Sequence, residues 1–111
     1  MPGDNTRIIE VARSIRDLVD APVLGGLAVY LHGVARSTID LDLYTLDRRH
    51  TADQLEAAGA RWDVENREHI LDGVRIHTVT PDDAKHTVGR ISIIDGVRVV
   101  SLKDLIAIKL L

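Results

Sequence analysis

Apolar positions near the start of the chain recur with a helical period. In "NTRIIEVARSIRDLVDAP" the stripe is Ile8, Ala12, Ile15 and Val19, widened by Ile9, Val11 and Leu18; Asn5 or Thr6 can cap its start and Pro22 marks its end. The period then changes. A short apolar segment, Pro22 to Leu24, runs into Gly25 and Gly26, and "LAVYLHG" follows, one or two helical turns closed by Gly33. The expected order is strand, tight turn, helix. "STIDLDLYT" alternates strictly, with Ile39, Leu41 and Leu43 facing one way and Thr38, Asp40, Asp42 and Tyr44 the other, as a strand requires. "TADQLEAAG" reads as a helix with Thr51 as cap and Gly59 as stop.

After "RWDVE" come two hairpin-like units, "HILDGVRIHTV" and "ISIIDGVRVVS", each turning on Asp-Gly. They share Asp-Gly-Val-Arg, a likeness that common turn chemistry produces without an internal duplication. The last segment, "SLKDLIAIKLL", opens on Ser101 as N-cap with Asp104 three residues on, a shortened capping box. Its apolar residues, Leu102, Leu105, Ile106, Ile108, Leu110 and Leu111, cover most of the helix circumference. Helix 101–111 is therefore expected either to be cut from a longer chain or to bury its second face in a protein partner or a second copy. The elements together predict one α/β (α+β) domain over 1–111: a small mixed β-sheet with helices packed mainly on one face.

Composition narrows the function classes. The chain has 111 residues, enough for one core, with 45% hydrophobic and 28% charged residues. Phe is absent and aromatic residues make up only 3%, so the core is aliphatic. A net charge of -3 gives no footprint for bulk nucleic-acid binding, although it leaves room for a local basic cleft. With no cysteine there is no disulfide, thiolate metal site or cysteine nucleophile. The N-terminus lacks a signal-peptide pattern and no apolar run approaches the roughly 18 residues of a membrane span. The default expectation is a cytoplasmic protein.

The candidate chemistry lies in "VLGGLAVYLHGVARSTIDLDLYT". Residues i and i+2 of a strand project to one face about 6.5 to 7 Å apart, so Asp40 and Asp42 form a paired anionic site. Such a pair repels itself unless a cation intervenes, and hard oxygen donors suit Mg²⁺ (or Mn²⁺), which takes its remaining ligands from phosphates. Metal ions so placed activate a hydroxyl and neutralise a leaving pyrophosphate, which points to phosphoryl or nucleotidyl transfer. A Gly-Gly turn that opens a helix offers backbone N–H groups to an anion, so Gly25 and Gly26 are candidates to cradle a triphosphate. Arg36 offers a fork of donors to phosphate, or forms a structural ion pair with the aspartates. The rival reading of Asp40 and Asp42 is the solvated polar face of an edge strand.

"Leu24-Gly25-Gly26", thirteen intervening residues, then "Asp40-Leu41-Asp42-Leu43" resembles the signature of the polymerase-β-like nucleotidyltransferase superfamily. The wider string, with its "His-Gly" and "Arg-x-Thr-x-Asp-x-Asp", is similar to minimal nucleotidyltransferases of abortive-infection and toxin–antitoxin systems. "VVSLKDLIAIKLL" is similar to the segment after their last core strand. The likeness runs from about Leu18 to the end. It implies a nucleotidyltransferase fold that binds a nucleoside triphosphate such as ATP with Mg²⁺ and transfers a nucleoside monophosphate to a hydroxyl. It implies Asp40 and Asp42 as catalytic metal ligands, with Gly25, Gly26, Arg36, Thr38 and Lys109 near the phosphates.

The family's third carboxylate, a metal ligand and base, lies on a neighbouring strand, and His77 of "VRIHTVT" stands in its place. A neutral imidazole can accept a proton near pH 7 but is a poor Mg²⁺ ligand. His77 is thus either a replacement base or a polar residue lining a cleft. Asp82, Asp83, Glu65 and Glu68 read as surface charges, any of them also a candidate for a displaced third acid. The alternative to an enzyme is a catalytically impaired nucleotidyltransferase fold acting as an antitoxin-like partner subunit.

Overall fold

A computed structural model describes residues 5–108. Seven strands form one mixed sheet: β1 (Val23–Leu24), β2 (Asp40–Tyr44), β3 (Arg61–Asp63), β4 (Glu68–Leu71), β5 (Val74–Val79), β6 (Ile91–Ile94) and β7 (Val97–Val100), in spatial order β3-β4-β5-β2-β1-β7-β6. Five helices accompany it: α1 (Thr6–Ile15), α2 (Gly25–Leu31), α3 (Arg48–Ala57), α4 (Pro81–Ala84) and α5 (Leu102–Ala107). The predicted mixed α+β architecture is the one observed. No helix among the described residues is long and apolar enough to cross a membrane.

The strict alternation of "STIDLDLYT" becomes β2, with Leu41 and Leu43 fully buried and Asp40 and Asp42 partly exposed on the other side. β2 pairs in parallel with β5, Leu41 opposite Ile76 and Asp42 opposite His77. The apolar face is covered by α1, whose Ala12 and Ile15 border a small gap together with Val23, Leu43 and Val97. α3 lies on the same face, where Arg48 donates to Thr78. The core is aliphatic, as composition required; Tyr44 is its one aromatic member.

Both Asp-Gly turns form as expected. Asp72 and Gly73 (φ 49° and 80°) join β4 to β5, and Asp95 and Gly96 (φ 51° and 76°) join β6 to β7, two left-handed residues in succession matching the strand twist.

Several local expectations shift. The first helix ends at Ile15 rather than near Pro22, although a further turn, Val19 N–H to Ile15 O, still buries Val19. Asn5 stands at its N-cap but its side chain makes no cap hydrogen bond. The third helix starts at Arg48, capped by the Asp47 carboxylate on the His50 N–H, and Thr51 is buried inside it with its hydroxyl on Thr45 Oγ1. Asp82 and Asp83 belong to α4, where Thr80 and Asp83 form a reciprocal capping box. Leu110 and Leu111 lie outside the described residues. Leu102 and Ile106 of α5 are exposed, as its encircling apolar pattern foretold.

Ser101 caps α5 as expected, yet Asp104 does more than complete a capping box. Its carboxylate accepts from Ser101 Oγ, from the Gly89 and Arg90 N–H groups and from His86 Nε2, pinning the segment before β6 to α5. Burial alone would raise this carboxyl; the hydrogen bonds from His86, Ser101, Arg90 and Gly89 outweigh it and hold the group well below the ordinary carboxylate range. A depressed carboxyl contributes stability that is fully present above its unfolded value, near pH 4, and is lost as pH falls below it. We expect Asp104→Asn to cost about 2 kcal/mol at pH 7 by urea denaturation. The wild type should lose stability more steeply than this variant between pH 4 and pH 2.

Candidate active site

β2 carries the acidic pair, and two neighbours supply what surrounds it. Residues paired across strands share a face. Asp42 pairs with Leu24 on one side and His77 on the other, and Asp40 pairs with Arg75. Across the β4–β5 hairpin the register His69 to Ile76 and Ile70 to Arg75 carries on to Glu68 opposite His77. Asp42, His77 and Glu68 therefore form a row across three strands, with Asp40 and Arg75 in the row beside it.

His77 Nε2 lies 2.5 Å from Glu68 Oε2 and 3.6 Å from Asp40 Oδ2, so two carboxylates converge on one imidazole nitrogen. Glu68 is not the surface charge its sequence suggested: its side chain is 5% exposed, and Arg75 Nη1 donates to Oε1 at 2.5 Å. A carboxylate so buried needs such partners. Arg75 also donates to Asp63 at 3.0 Å. Burial, helped by the nearby Asp40 charge and opposed by His77, raises the Asp42 carboxyl above its ordinary value.

The glycine turn closes on the pair from the other side. Gly25 has φ +71°, the left-handed region glycine tolerates, and a methyl group there would sit 2.2 Å from Asp42 Oδ2. At Gly26 a methyl group would sit 3.0 Å from Thr38 Oγ1 and 3.5 Å from Arg36 Nε. Gly25, Gly26, Arg36, Thr38, Asp40, Asp42 and His77, singled out along 53 residues of sequence, thus meet in one place. Lys109 lies outside the described residues.

Asn5 is the site-shaping residue that sequence reasoning assigned elsewhere. Buried to 2% exposure, its amide donates to Arg36 O at 2.9 Å and accepts from the Thr38 N–H at 3.1 Å. Thr38 Oγ1 in turn donates to Asp40 O at 3.1 Å, carrying the clamp to the acidic strand.

The structure superposes on a candidate nucleotidyltransferase from H. pylori with a TM-score of 0.58 and 14% identity, covering 90% of this chain and 53% of that one. It superposes on a candidate nucleotidyltransferase from Thermotoga maritima with a TM-score of 0.59 and 17% identity, covering 94% of this chain and 82% of that one. The fold is that of a nucleotidyltransferase. The nucleotidyltransferase fold here spans about half the length of the H. pylori protein. No protein-family profile matches the chain, nor does any curated protein.

Removing the clamp tests its place in the site. Asn5→Ala should leave the sheet intact, cost about 1 kcal/mol by removing the partner of two part-buried backbone groups, and raise hydrogen exchange at residues 36–38 well above the wild-type rate. Unchanged exchange there would show that the loop is held by other contacts.

Proposed function

We propose that the chain binds a nucleoside triphosphate with Mg²⁺ (or Mn²⁺) and transfers the nucleoside monophosphate to a hydroxyl of an acceptor molecule. The observation that supports this reading most is the contact between glycine turn and acidic pair. The space beside Asp42 Oδ2 is one that any side chain at residue 25 would fill. The donor chemistry fits the ion: two hard carboxylates, one of them raised by burial and by its acidic neighbour, gain from a cation between them.

Asp40 and Asp42 would hold Mg²⁺; among the described residues no group of three or more His, Cys, Asp or Glu is arranged as a metal cage, so phosphate and water oxygens complete the shell. Bound there, the ion neutralises charge on the triphosphate and on the departing pyrophosphate. Gly25 and Gly26 let the phosphates approach the backbone, and Arg36 and Thr38 add donors beside them. The acceptor oxygen bonds to the α-phosphorus as the bond to pyrophosphate breaks, and the hydroxyl proton passes to His77 Nδ1, Nε2–H being held by Glu68. Glu68 and Asp40 attract the positive charge the ring takes on with that proton. Positioning and charge neutralisation carry most of such a reaction.

The string from Gly25 to Thr45 supports placing the chain with the minimal nucleotidyltransferases of abortive-infection and toxin–antitoxin systems. A second reading, a nucleotide-binding partner subunit without transfer, draws on the exposed Ile91 and Ile93 of β6 and Leu102 and Ile106 of α5, apolar residues that suit an interface.

Incubation of the purified chain with labelled ATP, CTP, GTP or UTP, Mg²⁺ and cell extract tests both. Label should move to an acceptor, Asp40→Ala with Asp42→Ala should abolish transfer, and His77→Ala should slow it about 100-fold while nucleotide binding persists. Binding without transfer in the wild type would favour the partner-subunit reading. Transfer that survives loss of both aspartates would sink the metal site.

A further inference from the structure

The opposite face of the same strands carries a second concavity. Trp62 pairs with His69 and His69 with Ile76, one residue out of step with Glu68 and His77, so this row faces away from the acidic pair, towards α3. Arg48, Arg49, Trp62, Arg67, His69 and Thr78 are among the residues lining a cavity of about 580 Å³ there, within the range of small-molecule sites. Glu68 and His77 also border it, but the Glu68 carboxylate is engaged by Arg75 and by His77 Nε2 on the other face.

The lining is cationic and partly unspent. Arg48 is fixed by Thr78 and by its ion pair with Asp83. The side chains of Arg49 and Arg67, by contrast, make no hydrogen bond or ion pair among the described residues. Trp62 is 48% exposed, its ring held edge-on against His69 with centroids 4.9 Å apart, and His69 is itself anchored to Glu56 Oε2 at 2.9 Å. An indole held in place at the mouth of a cavity is a stacking platform, and guanidinium forks without counter-charges beside it match phosphate.

We propose that this cavity is a second binding site, for a phosphorylated nucleotide, with Arg49 and Arg67 on the phosphate and Trp62 against the base. The shared chemistry is a phosphate ester bearing a flat ring, supplied either as a free nucleotide or as the end of a single strand. The net charge of -3 limits how much of a longer polyanion the chain can hold.

Trp62 is the chain's single tryptophan, so its fluorescence reports the site directly. Titration with nucleoside monophosphates and, separately, with a short 5′-phosphorylated single-stranded oligonucleotide, both in metal-free buffer with EDTA, distinguishes the two sources. Saturable quenching by either is expected, weakened at least about tenfold by Arg49→Glu and by Arg67→Glu. It should be unchanged by Asp40→Ala with Asp42→Ala, which separates it from the reading of the acidic site. Both arginines are exposed, so their variants should fold, as circular dichroism can verify. Absence of quenching by both probes overturns the proposal, as does quenching that survives both charge reversals. Quenching lost with the two aspartates would place the ligand in the acidic site and overturn it equally.

Discussion

Pairing Leu41 with Ile76 and Leu43 with Thr78 seats the apolar side of two central parallel strands beneath α1 and α3, and the same register sends Asp40, Asp42 and His77 out through the opposite side. Side chains alternate along a strand, so a slip of one residue would bury the two aspartates and expose Leu41 and Leu43. Burial of aliphatic surface thereby fixes the geometry of a polar cluster it never touches. The glycine turn obeys the same constraint, since Val23 pairs with Leu43 and Leu24 with Asp42, bringing Gly25 against the Asp42 carboxylate.

On the polar face, charge is the organising quantity. Asp40, Asp42 and Glu68 crowd around His77 and Arg75, and Arg75 is shared with Asp63. Arg75 serves the outer carboxylates Glu68 and Asp63, while Asp42 lies against the Gly25 turn. Two neighbouring carboxylates, one of them raised by burial, are predisposed to take up a cation from outside. β5 itself carries no carboxylate, but Glu68 stands one strand further out, with the His77 imidazole between it and the acidic pair.

Local patterns made much of this legible. The alternation of "STIDLDLYT", the Asp-Gly turns and the glycines before a short helix each depend on a few adjacent residues, and each formed as expected. Asn5 carried no such signal, because its partners lie more than thirty residues along the chain and only folding brings them together. Thr51 and Asp47 both offered a plausible cap; Asp47 holds the post while Thr45 claims the threonine hydroxyl, a contest that propensity alone does not decide. Glu68 is different, since its place could have been found. Counting back from the Asp72-Gly73 turn pairs 71 with 74, 70 with 75 and 69 with 76, which puts 68 opposite 77.

That count also explains how one sheet edge presents two unlike surfaces. Along β4 and β5, successive steps from the turn alternate between the two faces, with Glu68 and His77 on one and His69 and Ile76 on the other. Extending the pairing to β3 places Trp62 in the second row and Asp63 in the first, so the acidic residue joins the acidic face and the indole joins the arginines of α3 and the β3–β4 turn. The three-strand edge thus separates opposite charges by the thickness of a single sheet.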